Sequence, residues 1–116
     1  MNYKSEEFDD YLIVSLEGQY IGGEETDKLS VFFKPLTKNN KNKIIVDLAK
    51  VTYISSIVLG LFVKLHNELT NEGGYLLLIN VNPIIMEIFK ITRVDLNLYI
   101  FKNLSEATSF LKKVNK

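Results

Sequence analysis

Two adjacent hydroxyls, Ser55-Ser56, open a stretch in which Lys64 is the only charged residue between Lys50 and Glu68. A serine at the start of a helix meets free backbone N–H groups and the positive end of the helix dipole. It can cap the helix there. The other residues with reactive side chains are sparse. His66 is the only histidine and there is no cysteine, so the three or four ligands of a zinc site are lacking, as are disulfides and thiolate catalysis. Hydrolysis by a serine, a histidine and an aspartate would call for a nucleophile elbow of the form G-x-S-x-G, which is absent. His66, at the flank of a Val58/Leu61/Leu65 stripe, reads as a structural or surface residue.

Gly22-Gly23 and Gly73-Gly74 fit neither G-x-G-x-x-G nor a P-loop, and Glu24-Glu25 after the first pair would repel a phosphate. They read as turn and cap glycines. A receiver-type magnesium site would need carboxylates clustered at strand ends. Asp47 instead falls one residue inside its strand, and Asp9-Asp10 fall in a hairpin turn. The chain is therefore read as a binding protein and not an enzyme, with no cofactor and no metal.

The elements that position Ser56 follow from periodicity. Tyr11 to Tyr20 alternates as a strand, with Leu12, Val14 and Leu16 on one face and Ile13, Ser15 and Glu17 on the other. Tyr3 to Phe8 pairs with it through Asp9-Asp10, and Gly18 marks a bulge near its end. After Gly22-Gly23 the spacing of Leu29, Phe32, Phe33 and Leu36 predicts a helix that Pro35 kinks or ends. Ile44 to Leu48 is a continuously apolar run, as in a strand covered on both faces. Ser55 or Ser56 caps a helix from Ile57 to Glu72, with Val58, Leu61, Phe62, Leu65 and Leu69 as its core stripe and Gly73-Gly74 as its stop. Tyr75 to Val81 is a strand, Asn82-Pro83 open a helix through Ile91, Leu98 to Phe101 is a short strand, and Ser105 caps a last helix with Ala107, Phe110, Leu111 and Val114 inward.

The order β-β-α-β-α-β-α-β-α predicts one α/β domain over residues 1–116, with a mixed, mainly parallel sheet of four or five strands and about four helices. The size and composition agree: 116 residues, 47% hydrophobic and 24% charged. Fourteen basic and fourteen acidic residues cancel, and Lys38 to Lys43 is diluted by asparagines, so no nucleic-acid partner is expected. The N-terminus lacks an apolar signal region, and the longest apolar run, Ile57 to Val63, is short of the ~20 residues that span a bilayer. Membrane insertion is not expected, and a cytoplasmic protein, monomeric or weakly homodimeric, is.

On the helix that Ser56 opens, Ser56, Gly60, Val63 and Asn67 point away from the core stripe, with Leu59 at the edge. Gly60 inside a helix costs about 1 kcal/mol against alanine. Either the domain itself covers this uncharged face, or another protein approaches it closely. Ser55, Ser56, Ile57, Leu59, Gly60, Val63 and Asn67 are the candidate partner-binding residues.

The order of elements and the stretch Ile44 to Val94 resemble the STAS domain of bacterial anti-sigma factor antagonists. Ile45-Val46-Asp47-Leu48 matches the family's strand, Val51-Thr52-Tyr53-Ile54 its lead-in, and Ser55-Ser56-Ile57-Val58-Leu59-Gly60 its D-S-S-G-L-G segment. Gly73-Gly74 matches its turn, and Pro83 with Phe89 its later helix. The resemblance implies partner switching. The antagonist binds an anti-sigma factor that is often a serine kinase, phosphorylation of the serine at the helix start weakens the complex, and a phosphatase resets it. That serine aligns with Ser56, with Ser55 as its rival. Ser55 replaces the family's acidic residue, Ile57 a small residue and Val58 a glycine, and Tyr20-Ile21-Gly22 stands where an acidic residue is usual. The alternative is a non-signalling STAS subunit that partners a transporter or a lipid-transfer ATPase.

Overall fold

Leu12, Val14 and Leu16 are buried while Ile13 and Ser15 between them are only half-covered, the alternation expected of a strand with one face on the core. A computed structural model describes residues 2–20, 24–34, 42–93 and 98–114. Gly22-Gly23, Pro35, Leu36, Val94 and most of Lys38 to Lys43 lie outside the described residues.

Strands β1 (Asn2–Glu7) and β2 (Leu12–Tyr20) form an antiparallel hairpin with Glu7 opposite Leu12. The Phe8 amide donates to the Tyr11 carbonyl at 2.8 Å across the Asp9-Asp10 turn, and the two rings stack with centroids 4.9 Å apart. Helix α1 (Glu24–Phe33) stops ahead of Pro35 and buries Leu29 and Phe33.

Strand β3 (Lys43–Ile54) is longer than the run Ile44 to Leu48 predicts. It pairs in parallel with β2, Ser15 opposite Asp47 but Glu17 opposite Lys50, and Gly18 opposite Val51 but Gln19 opposite Tyr53. At each shift β3 carries one extra residue, so its buried positions fall at Val51 and Ile54, three apart, and the period of two is lost. Gly18 lies beside the second shift with φ 100°, a conformation that favours glycine. The bulged strand is therefore β3, not β2.

Helix α2 (Ser56–Asn71) begins one residue before the predicted start, with Ser55 as its N-cap. Its end is a Schellman motif: the Gly74 amide donates to the Leu69 carbonyl at 2.7 Å and the Gly73 amide to that of Thr70 at 3.0 Å. Gly73 has φ 78°, and a Cβ at Gly74 would overlap the Asn42 carbonyl. Strands β4 (Tyr75–Ile79) and β5 (Tyr99–Phe101) extend the sheet in parallel, giving the order β1-β2-β3-β4-β5. Between them, α3 (Pro83–Ile91) starts at Asn82, whose side-chain oxygen accepts from the Ile85 amide at 2.8 Å. In α4 (Leu104–Val114) the cap is Asn103, not Ser105: its side chain accepts from the Glu106 amide at 3.0 Å, and Glu106 reaches back to the Lys102 amide.

The sheet is covered on both faces. Leu29, Phe33, Val58, Phe62, Ile85 and Phe89 from α1, α2 and α3 pack on Val14, Leu16, Ile44, Val46, Leu76 and Leu78. On the other face Ala107 and Leu111 of α4 meet Ile45, Leu77 and Ile79. The continuous apolar runs of β3 and β4 thus serve two cores. Among the described residues no helix is long and apolar enough to cross a membrane.

Candidate functional site

Ser55 leaves the end of β3 in an extended conformation, φ −81° and ψ 166°. Its amide donates to the Tyr20 carbonyl at 2.8 Å, and its carbonyl accepts the Leu59 amide at 3.1 Å, the first bond of α2. Its hydroxyl makes no capping bond. The oxygen is buried and has no hydrogen-bond partner among the described residues. Ser56, the first helical residue, is exposed, and the first turn of α2 carries no acidic side chain. The end of a helix with free N–H groups and an unopposed dipole favours an anion over an apolar side chain.

Of the other candidate residues, Ile57 is 60% exposed, and Gly60 and Asn67 are exposed. Nothing lies within 4 Å of a Cβ placed on Gly60, so no packing within the described domain requires a glycine there. Val63 is half-buried against the core. Leu59 corrects the helical wheel: it is 2% exposed and packs in the core, while Leu61 is only partly buried and lines a cleft with Phe33 of α1. The stripe is Val58, Leu59, Phe62, Leu65 and Leu69, and Leu61 lies beside the cleft between α2 and α1. Burying a leucine stabilises the fold by about 1.5–3 kcal/mol, so Leu59 belongs to the fold and is not offered to a partner.

Two residues that sequence reasoning passed over lie at the same end of the molecule. Tyr53, near the end of β3, is 43% exposed, and Ile84, in the first turn of α3, is 69% exposed. Strands β3 and β4 are parallel neighbours, so α2 and α3 both begin at their carboxyl edge, where open α/β sheets place their ligands. The signal for Ile84 was present: adjacent residues in a helix point about 100° apart, so of Ile84 and Ile85 only one can face the sheet. Ile85 is fully buried.

Asn82 holds the two helix starts in place, because its amide nitrogen donates to the Val51 carbonyl of β3 at 3.0 Å while its oxygen caps α3. Asp47 has a similar structural task. One of its carboxylate oxygens accepts from the Ala49 amide at 2.9 Å and from the Asn80 side chain at 3.0 Å, Asn80 having a φ of 57°. It lies deep inside β3 and does not meet Asp9 or Asp10, which belong to the β1–β2 turn at the opposite end of the strands.

His66 does not serve Ser56 as a base. His66 lies ten residues along α2, about 15 Å at the helical rise. Its ring is edge-on to Tyr99 with centroids 5.6 Å apart, Nδ1 is buried without a partner among the described residues, and burial holds its pKa below the ordinary 6.5. Among the described residues no three His, Cys, Asp or Glu side chains gather as metal ligands do.

The strand order, the helices on both faces and the serine-led helix at the carboxyl edge define a small, mostly parallel α/β domain. The STAS domain model matches residues 2–107, and the chain belongs to the STAS family. No curated protein sequence matches it. The fold is shared with the Thermotoga maritima protein TM1081, at a TM-score of 0.83 and 23% identity over 98% of this chain and 95% of that one. An anti-sigma factor antagonist from Mycobacterium paratuberculosis gives a TM-score of 0.83 at 19% identity, covering 99% and 94%. The unphosphorylated anti-sigma factor antagonist SpoIIAA gives 0.80 at 15% identity, covering 97% of each chain.

Proposed function

We propose that this protein is an anti-sigma factor antagonist, that it binds an anti-sigma factor with serine kinase activity through the surface around Ser56, and that phosphorylation of Ser56 weakens the complex. The observation that carries the reading is the exposed hydroxyl of Ser56 at the first position of α2, beside the exposed Ile57 and the open Gly60. The kinase joins the γ-phosphorus of ATP to the serine oxygen. The bond to the bridging oxygen of ADP breaks, and the hydroxyl proton passes to a base of the kinase. The antagonist supplies only the acceptor and performs no catalysis. A phosphatase hydrolyses the ester and resets the cycle, and the exchange takes place in the cytoplasm.

Ser55 is the poorer acceptor, because its oxygen is buried and a kinase cannot reach it without opening the strand–helix junction. A phosphate on Ser56 brings a charge of about −1.5 to −2 to the positive end of α2. The domain itself tolerates that charge. An apolar partner surface over Ile57 would have to strip water from a dianion, so the loss falls on the complex. SpoIIAA, which shares the fold, has been solved in both unphosphorylated and phosphorylated forms, the latter matching this chain at a TM-score of 0.72.

The test is binding to the cognate kinase, with mass spectrometry after incubation with ATP. Ser56→Ala keeps binding and takes up no phosphate, and Ser56→Asp loses affinity with its melting temperature nearly unchanged. Phosphate on Ser55 alone, or unchanged binding by Ser56→Asp, overturns the assignment.

A further inference from the structure

Strand β1 ends the sheet. It pairs along its length with β2, and its outer edge meets no other strand among the described residues. Tyr3 to Glu7 are all exposed. An edge strand is a template for another strand, and charged side chains usually protect it, since a strand that pairs with its own copy sets like charges together. The pattern of β1 behaves differently.

In an antiparallel pair, residues directly opposite one another must both point their backbone groups into the ladder or both point them away. When a strand pairs with its own copy about a two-fold axis, the axis must therefore pass through a residue, not between two. Axes through Lys4 or Ser5 keep five of the six residues of β1 paired, and axes through Tyr3 or Glu6 keep three. An axis through Lys4 sets Lys4 against Lys4, and one through Glu6 sets Glu6 against Glu6. An axis through Ser5 sets Lys4 against Glu6 of the second copy, twice. This register alone matches opposite charges, and it places the small, uncharged Ser5 at the centre.

The two faces agree with it. The Tyr3 ring packs on Phe32 of α1, with centroids 4.2 Å apart, so Tyr3 and Ser5 share the face that carries α1, α2 and α3. Lys4 is in register with Ser15, which in turn is in register with Asp47, so Lys4 and Glu6 share the opposite face, where α4 packs at the far strands. Neither ion of the pairs has to enter a core. The charges stay in water and select the register.

We infer that β1 is a self-association edge: two copies pair through antiparallel β1 strands centred on Ser5, each Lys4 facing Glu6 of the other copy, and join their sheets into one of ten strands. The site rests on none of the Ser56 reasoning.

Sedimentation equilibrium on the full chain tests it. The wild-type chain dimerises. Lys4→Glu alone and Glu6→Lys alone each set two like-charged pairs together, and each weakens dimerisation at least about tenfold. An equimolar mixture of the two variants dimerises again, because every Lys4→Glu chain then offers two carboxylates to two ammonium groups. The double variant Lys4→Glu/Glu6→Lys does so by itself. Because the natural chain has no cysteine, Ser5→Cys gives a clean register probe: the paired Cα atoms fall within disulfide range, and oxidation yields covalent dimer faster than Val31→Cys, on the exposed side of α1. A wild-type chain monomeric at about millimolar concentration, given the weak pairs invoked, overturns the inference. So does a dimer indifferent to both charge reversals, failure of the mixture to restore it, or equal cross-linking of Ser5→Cys and Val31→Cys.

Discussion

The Ser55 amide is bonded to the Tyr20 carbonyl at 2.8 Å, so the residue that opens α2 is pinned to the last residue of β2. The start of the helix is thus positioned by backbone, and the Ser55 side chain contributes nothing to it: its hydroxyl is buried and makes no cap.

Ser55→Ala should accordingly break the usual rule for N-caps. Removing a capping hydroxyl typically costs about 1 kcal/mol. Here the substitution removes an unsatisfied buried oxygen, so stability by urea denaturation should stay level or rise by up to ~1 kcal/mol. A loss of the ordinary size would mean that the hydroxyl does cap α2.

At Gly60 two substitutions should separate fold from binding. Gly60→Ala stabilises the domain by about 1 kcal/mol, since the helix gains a better former and the new methyl meets nothing within 4 Å. Gly60→Arg folds equally well yet loses the partner, which cannot approach or must bury an unpaired charge. Calorimetric unfolding and a binding titration read the two effects, and a Gly60→Arg chain that binds normally removes this face from the site.

Asn82→Ala loses both the cap on α3 and the bond to the Val51 carbonyl. The expected loss is about 2–3 kcal/mol, more than a cap alone, because a β3 carbonyl is left without its donor. Asn82→Asp keeps the acceptor and loses the donor, and should fall between the two.

His66 gives the stability a pH dependence. Desolvation lowers its pKa in the folded state, so the unfolded chain takes up the proton first as pH falls below 6.5. The stability it contributes is fully present above 6.5 and is lost as pH falls toward its lowered folded value. His66→Phe keeps an aromatic ring against Tyr99 and should remove that slope between pH 6.5 and the onset of carboxylate titration. Parallel wild-type and variant denaturation curves across this range check it.

Much of this was legible in the sequence because it rests on local rules. Asn82-Pro83, Gly73-Gly74 and the alternation of Leu12, Val14 and Leu16 each specify their geometry with few residues. Three features escaped for physical reasons. The extra residues in β3 break the period of two, so Val51 to Ile54 does not look like the strand it is. The inward turn of Leu59 over Leu61 is set by where α2 lies between the sheet and α1, which no helical wheel contains. At α4, Asn103 and Ser105 are both good caps, and the reach of Glu106 back to Lys102 decides for Asn103. At the site, the serine-led uncharged helix could be read directly. The contribution of Tyr53 and Ile84 depends on β3 and β4 being neighbours, a fact of topology.

Every strand of the sheet lies next to the one that precedes it in the chain, from β1 through β5. No strand has to wait for a distant segment before it finds an edge to pair with, so each chain closure spans one hairpin or one crossover. Synthesis from the N-terminus therefore delivers the strands in the order in which they are used, and a growing sheet can add each one as it leaves the ribosome. Among mostly parallel sheets, which as a class assemble slowly, such an ordering keeps contacts short in sequence and favours fast folding with little exposure of half-built edges.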